Sequence, residues 1–155
     1  MKILSIPNEN GKMTCFWEEG ASSGKKPLII CLADKEEDAQ RDLNLLFSQA
    51  NGASVAALVV YPQTEEQIVG DWLYSLRQRE DVDENRITLT GTLSAADWVW
   101  RLGSHFPQWF AGICPVGGYG DPYEVRAMKN VPVRAYLVEE EPQIIRKGKV
   151  AVNVD

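Results

Sequence analysis

Histidine is the scarcest reactive side chain in this chain of 155 residues, which contains only His105. Metal centres in proteins depend heavily on histidine and on closely spaced cysteines. Cys15, Cys31 and Cys114 are far apart in the sequence and form no C-x-x-C pair. We therefore expect no metal and no other cofactor, and we interpret the cysteines as reduced thiols of a cytoplasmic protein.

Basic charge and long apolar runs are also scarce. Sixteen basic and 22 acidic side chains give a net charge of −6, whereas a nucleic acid or an anionic membrane as partner would call for a basic patch. The apolar run before Pro7 is too short for a signal-peptide core, and no later run approaches the length of a membrane span. A chain of this length predicts a single domain, residues 1–155.

The chain does contain a regular alternation of strand and helix patterns. Pro27–Ala33 and Val55–Tyr61 are continuous apolar runs, typical of strands buried on both faces of a parallel sheet. The other predicted strands are Lys2–Ile6, Lys12–Trp17, Arg86–Thr90, Phe110–Val116, Val131–Val138 and Lys149–Val154. This alternation predicts an α/β fold, a three-layer αβα sandwich with a mostly parallel central sheet.

Two capping boxes mark predicted helix starts, in which an aspartate side chain caps the helix and a glutamate follows three residues later. Asp34 with Glu37 predicts a helix directly after the first buried strand, and Asp121 with Glu124 predicts a short helix near the end. The glycines around Gly117 do not form a G-x-G-x-x-G motif, so we interpret them as loop geometry.

Several short motifs are shared with a known family. They are Asp83–Ile87, Trp100, His105-Phe106-Pro107, Phe110-Ala111-Gly112, Gly117-Gly118 and Val131-Pro132-Val133. From Pro27 to about Glu141 the chain resembles the α/β-hydrolases of the small esterase, carboxylesterase and polyhydroxybutyrate-depolymerase-like branch. The resemblance implies a truncated α/β-hydrolase-like fold, and it allows the catalytic positions of the family to be checked one by one.

The nucleophile of the family is a serine held on a strained G-x-S-x-G turn. A gapless match from Gly91 places Leu93 at that position, and Ser94 reaches it only if the turn shifts by one residue. Ser94 is therefore a candidate nucleophile, although a serine in the first turn of a helix that bonds to backbone or water explains it too. Because a leucine at left-handed φ costs about 1–2 kcal/mol, we expect the turn at Thr92–Ser94 to be relaxed.

The other catalytic positions are altered as well. Ala33 and Asp34 stand where the family has the His-Gly pair of its oxyanion hole, and Glu141 falls at the position of the catalytic acid. His105 lies 11 residues after Ser94, which is roughly 16 Å along a helix. A general base must come within about 3 Å of its partner, so His105 cannot activate Ser94 within one chain. The resemblance thus implies a degenerate catalytic triad.

Three functions remain open. The first is a non-catalytic relative of the esterases that keeps a vestigial cleft, formed by Ala33, Asp34, Leu93, Ser94 and Gly117. The second is a weak serine esterase that uses Ser94 and a base from another subunit, and the third is a module that binds an unidentified small molecule. A receiver-like domain fits less well, since Asp34 alone does not form an acidic pocket. Because the shortened C-terminus would leave part of the sheet uncovered, we also expect a homodimer or larger symmetric oligomer.

Overall fold

In the computed structural model the described residues are 1–8, 11–118 and 124–136. The strands are β1 Lys2–Asn8, β2 Gly11–Glu18, β3 Lys26–Ala33, β4 Ser54–Val59, β5 Val82–Thr92 and β6 Gly112–Val116. The α-helices are α1 Glu36–Ser48, α2 Glu66–Arg77 and α3 Ser94–His105, and short 3-10 helices span Pro107–Trp109 and Glu124–Met128. The predicted strand and helix pattern is confirmed over these residues except at 131–136, where only isolated bridges form in place of a strand. Asp121 of the second predicted capping box lies outside the described residues.

The described strands form one sheet in the order β1-β2-β4-β3-β5-β6. The hairpin β1–β2 pairs antiparallel with β4, and β4, β3, β5 and β6 are parallel to one another. Beyond β6, two isolated parallel bridges join Ile113 to Val133 and Val116 to Tyr136. Val133 and Tyr136 belong to the predicted strand Val131–Val138. The last two residues of that strand, and all of the predicted strand Lys149–Val154, lie outside the described part of the chain.

Helices cover both faces of this sheet, which confirms the predicted α/β sandwich. On one face α2 and α3 bury a large apolar cluster that includes Leu73, Leu89 and Trp100. On the other face α1 packs Ala39 and Leu43 against β2, β3 and β4. No helix within the described ranges is both long and apolar enough to cross a membrane.

Strand β5 shows that the α1 face of the sheet is only partly covered. Ile87 and Leu89 are fully buried under α3, as their alternation predicts. Thr88 and Thr92 point to the opposite face and are exposed, and Thr90 between them is half-buried. Within the described residues β5 is therefore fully buried on one face only.

Charged and aromatic side chains pack together at the end of the sheet where β3 and β5 begin. Lys26 is only 8% exposed, and its ammonium group donates to Glu19, which also accepts a 2.8 Å hydrogen bond from the indole of Trp17. Arg79 makes two hydrogen bonds to Asp81 and stacks 4.4 Å from the Trp17 ring centroid. These contacts hold the chain together where β3 and β5 begin.

Candidate functional site

The turn between β5 and α3 lies at the carboxyl end of the sheet, where α/β folds place their ligand sites. Leu93 at this turn has φ 57° and ψ −118°, a conformation that non-glycine residues rarely adopt. Our expectation of a relaxed turn at Thr92–Ser94 is therefore wrong. The strand-to-helix turn is sharp, and a leucine occupies its apex.

Neighbouring residues hold this turn in place. The backbone N–H of Leu93 donates to the carbonyl of Val116 (2.8 Å), and its carbonyl accepts from the N–H of Ala96 (2.9 Å). Gly91 and Gly118 allow the close packing, since a Cβ on Gly91 would lie 2.9 Å from Val99 and a Cβ on Gly118 would lie 3.0 Å from the Leu93 carbonyl oxygen. Strained backbone persists only where the surrounding structure determines it in this way.

Leu93, rather than Ser94, therefore lies at the apex of this turn. β5 ends at Thr92 and α3 begins at Ser94, so the apex of the turn is Leu93, as in the gapless match from Gly91. A turn shifted by one residue, with Ser94 at its apex, does not occur. Ser94 is the first residue of α3. The Leu93 side chain is 49% exposed at the mouth of the cleft, where neither burial nor backbone conformation favours a leucine.

Ser94 has a specific partner on the other side of the cleft. Its hydroxyl donates to Oδ2 of Asp34 at 3.0 Å, joining the start of α3 to the end of β3. Ser94 does lie in the first turn of a helix, as the alternative interpretation has it, but its hydroxyl donates to a side chain and not to the backbone. The predicted cap is wrong, because the N-cap of α1 is Lys35 and no side chain caps this helix.

The position of Asp34 has an electrostatic consequence. In α/β-hydrolases the oxyanion is held by the N–H of the residue after the nucleophile and by an N–H of the loop after β3. In this chain the residue after Leu93 is Ser94, and the loop after β3 carries Asp34. A carboxylate that accepts from the Ser94 hydroxyl adds a negative charge to this region, which disfavours a second negative charge nearby.

A cavity of about 210 Å³ opens beside this pair. It is lined by Leu32, Ala33, Asp34, Lys35, Asp38, Arg41, Asp42, Thr92 and Leu93. Three predicted cleft residues, Ala33, Asp34 and Leu93, thus lie together, with Ser94 bonded at the edge. Gly117, the remaining predicted cleft residue, has φ 76° and donates its N–H to the Tyr136 carbonyl at 2.7 Å.

The sequence analysis did not identify the charged wall of this cavity. Arg41 lies between Asp38 and Asp42 and pairs with both, at 3.3 Å and 3.4 Å. The thiol of Cys31 lies 3.9 Å from Asp42, and burial, with Asp42 as a smaller cause, raises the Cys31 pKa to about 12. The four-residue spacing of Asp38 and Asp42, which places both on one side of a helix, is the signal that could have revealed this wall.

His105 does not join the cleft. His105 ends α3, and its Nδ1 lies 2.8 Å from Oε2 of Glu66 on α2. The helix thus separates His105 from Ser94 at its first residue, as the spacing predicted. Glu141 lies outside the described residues.

Comparison with solved structures identifies the architecture. Over 91% of its length the chain is similar to a thermostable esterase (TM-score 0.74, 18% identity, 47% of the esterase covered). It is similar over 99% of its length to 2,6-dihydroxy-pseudo-oxynicotine hydrolase (0.71, 12%, 59% covered) and over 94% to S-formylglutathione hydrolase from Staphylococcus aureus (0.66, 8%, 84% covered). No protein-family model and no curated protein sequence matches the chain.

The chain therefore has an α/β-hydrolase-like fold with esterases and other hydrolases among its structural neighbours. It spans about half the length of the thermostable esterase and 59% of the oxynicotine hydrolase. At these low identities the similarity establishes the scaffold, and the activity must be argued from the cleft itself.

Proposed function

We propose that this chain is a non-catalytic relative of the α/β-hydrolase esterases that keeps the scaffold and a vestigial cleft. The observation that carries the proposal is Leu93 at the apex of the strained turn. Serine hydrolases depend on an oxygen nucleophile at this position, and a leucine side chain has no nucleophilic or acid–base group.

The surroundings of Ser94 support the same proposal. Its hydroxyl donates to the Asp34 carboxylate, and a carboxylate alone is a weak base for a serine hydroxyl at neutral pH. The nearby negative charge also opposes an oxyanion, and removing even one oxyanion donor costs about 10²–10³-fold in rate. A cytoplasmic location is part of the proposal and fits the free thiols of Cys15, Cys31 and Cys114.

The direct test is hydrolysis of short acyl esters by the purified chain. We expect wild type and Ser94→Ala to give the same rate as buffer, because neither holds an activated nucleophile. Turnover that exceeds buffer and disappears in Ser94→Ala would instead establish the alternative, a weak serine esterase that obtains its base from another subunit.

One observation favours a second candidate function, the binding of a small molecule in the cleft. The half-exposed Leu93 offers an apolar contact beside the polar groups of Asp34 and Lys35. Ligand pockets commonly combine apolar walls with a few convergent polar groups, at volumes of about 300–1,000 Å³. The cavity of about 210 Å³ is smaller, so its ligand would be a molecule of only a few heavy atoms.

Ligand-detected NMR with a set of small polar fragments tests this candidate. We expect at least one fragment to bind the wild type and to lose affinity in Leu93→Asp, which replaces the apolar contact by a charge. Leu45→Asp, at an exposed leucine outside the cavity lining, is the matched control and should keep the affinity. Equal binding by wild type and Leu93→Asp would exclude this use of the cleft.

A further inference from the structure

A strip of side chains runs along one side of α2 and faces the chain that follows α3. Glu66, Gly70, Tyr74 and Arg77 succeed one another at intervals of three or four residues, which places them on the same side of the helix. Each of them lies against a residue of segment 105–109. We call Glu66, Gly70, Tyr74 and Arg77 the α2 strip.

The first half of the α2 strip is occupied by contacts within the chain. The Nδ1 of His105 lies 2.8 Å from Oε2 of Glu66. Gly70 leaves room for the ring of Phe106, since a Cβ at this position would lie 3.3 Å from the Phe106 Cζ. Any partner of the strip must therefore bind at its second half, formed by Tyr74 and Arg77.

The second half of the α2 strip surrounds Trp109. The Trp109 ring stacks on Phe106, with ring centroids 4.3 Å apart, and its centroid lies 6.2 Å from that of Tyr74. The guanidinium carbon of Arg77 lies 5.2 Å from the Trp109 centroid. Trp109 and Arg77 are half-buried, whereas Tyr74 is 52% exposed. Tryptophan, tyrosine and arginine are the side chains most enriched at the centres of protein interfaces.

Arg77 lacks the acidic partner that other arginines of this chain have. Arg41, Arg79 and Arg86 each pair with an aspartate. No described residue forms an ion pair with Arg77, and its Nε is buried without a hydrogen-bond acceptor. Its place in the last turn of α2 is favourable for a cation, but a buried donor without an acceptor is rare and calls for an explanation.

We propose that the second half of the α2 strip binds an acidic segment of another protein. An aspartate or glutamate of that segment accepts hydrogen bonds from the Arg77 guanidinium, whose planar fork fits a carboxylate. A neighbouring apolar side chain of the segment packs on the ring of Tyr74. Charge complementarity decides the kind of partner, because an uncompensated cation on an exposed aromatic surface attracts an acidic segment and repels a basic one.

The exposed ring of Tyr74 favours a protein segment over a free anion. A small carboxylate would pair with Arg77 and leave the apolar surface of Tyr74 in water, whereas a peptide carries a carboxylate and an apolar side chain within a few residues. Neither Tyr74 nor Arg77 belongs to the described lining of the cavity beside Ser94. The inference therefore holds whether or not the cleft binds or hydrolyses a small molecule.

NMR titration of the full chain with two short peptides tests the proposal. The probes are N-acetyl-Leu-Glu-Leu amide and N-acetyl-Leu-Gln-Leu amide, which differ only in the carboxylate. We expect the indole N–H resonance of Trp109, assigned with Trp109→Phe, to shift saturably with the glutamate peptide, and the glutamine peptide to bind about tenfold more weakly. Equal affinities for the two peptides, or no saturable shift with either, would overturn the proposal.

Three variants assign the binding to the α2 strip. Arg77→Gln should weaken the glutamate peptide to the affinity of the glutamine peptide, and Tyr74→Ala should weaken both peptides because the apolar contact is lost. Lys25→Gln is the matched control, since it removes the same charge at an exposed lysine before β3 and should keep the affinity. Thermal unfolding checks that each variant is folded. Equal losses in Arg77→Gln and Lys25→Gln would reduce the effect to net charge and refute the site.

Sodium acetate distinguishes a protein segment from a free anion. It supplies the carboxylate without an apolar side chain, so we expect no saturable shift of the Trp109 indole at concentrations that saturate with the glutamate peptide. Acetate that binds as tightly as the peptide, and with the same dependence on Arg77, would identify a site for free anions and would refute the protein segment as occupant.

Discussion

The hydroxyl of Ser94 donates a 3.0 Å hydrogen bond to Oδ2 of Asp34, 60 residues away in the sequence. The two residues close the cleft between the end of β3 and the start of α3. Asp34 follows β3, and Ser94 is the first residue of α3. Their direct contact indicates that the cleft of this chain is organised around a carboxylate.

A double-mutant cycle measures this contact. We expect Asp34→Ala and Ser94→Ala to show a coupling energy of about 0.5–1 kcal/mol in chemical denaturation. A hydrogen bond to a charged group usually contributes more, but the exposure of Ser94 to water reduces its contribution to stability. The matched cycle of Glu37→Ala with Ser94→Ala should show no coupling, because no contact joins those side chains. Additive effects of Asp34→Ala and Ser94→Ala would contradict the contact.

The strain at Leu93 can be measured with two substitutions. Leu93→Gly and Leu93→Ala remove nearly the same side chain, but only glycine adopts positive φ without cost. We expect Leu93→Gly to be more stable than Leu93→Ala by about 0.5–1 kcal/mol, after the greater chain entropy of glycine is counted.

Thr92 is the matched control for this measurement. Thr92 lies at the end of β5 and does not have positive φ. Thr92→Ala should therefore be more stable than Thr92→Gly, the reverse of the order at Leu93. If alanine were more stable than glycine at position 93 as well as at position 92, Leu93 would not be strained.

Gly118 provides a test of the packing behind the turn. A Cβ at this position would lie 2.7 Å from Asp97 Oδ1 and 2.8 Å from the Ala96 Cβ, and Gly118 has φ 65°. We expect Gly118→Ala to lower the free energy of unfolding by about 2–4 kcal/mol, through overlap added to backbone strain. Gly24→Ala shares the positive φ (74°) but meets no atom within 4 Å, so it should cost only about 1 kcal/mol. Equal costs would refute the close approach.

Acid should weaken the contacts of Glu19, at the end of the sheet where β3 begins. Hydrogen bonds from Lys26, and secondarily from Trp17, lower the pKa of Glu19 in the folded chain. The Glu19 carboxylate therefore stabilises the folded chain at pH values above its unfolded pKa of about 4.3. This stabilisation is lost as the pH falls through the lower pKa that Glu19 has in the folded chain. We expect the free energy of unfolding of wild type to decline below about pH 5 more steeply than that of Glu19→Gln.

Glu19→Gln should also be less stable at neutral pH, by about 1–2 kcal/mol, since it leaves the buried Lys26 ammonium with a weaker acceptor. Glu84→Gln is the matched control, because Glu84 is exposed on β5 and should leave both the neutral-pH stability and the acid slope unchanged. A Glu19→Gln variant with the acid slope of wild type would contradict this role of Glu19.

Local patterns predicted the elements of the fold well. The apolar run Pro27–Ala33 predicted a buried strand, and β3 spans Lys26–Ala33 with both faces largely buried. The predicted strand Arg86–Thr90 likewise lies within β5, Val82–Thr92. These predictions succeed because burial of a strand depends mainly on its own residues.

The cleft could not be predicted in the same way, because its residues are positioned by distant parts of the chain. Asp34 has the local pattern of a capping box, but the hydroxyl of Ser94 is its partner instead. A leucine disfavours positive φ, but contacts to Val116 and the close approach of Gly118 hold Leu93 there. In both cases tertiary contacts outweigh a local preference of about 1–2 kcal/mol.

The measurement that tests the central claim most directly is intact-mass analysis after incubation with a fluorophosphonate probe, which reacts with activated serines. If Leu93 has replaced the nucleophile and Ser94 is held by Asp34, the mass of wild type will stay unchanged, as will that of Ser94→Ala. A stoichiometric mass increase in wild type that is absent in Ser94→Ala would show that Ser94 is an activated nucleophile and would contradict the account.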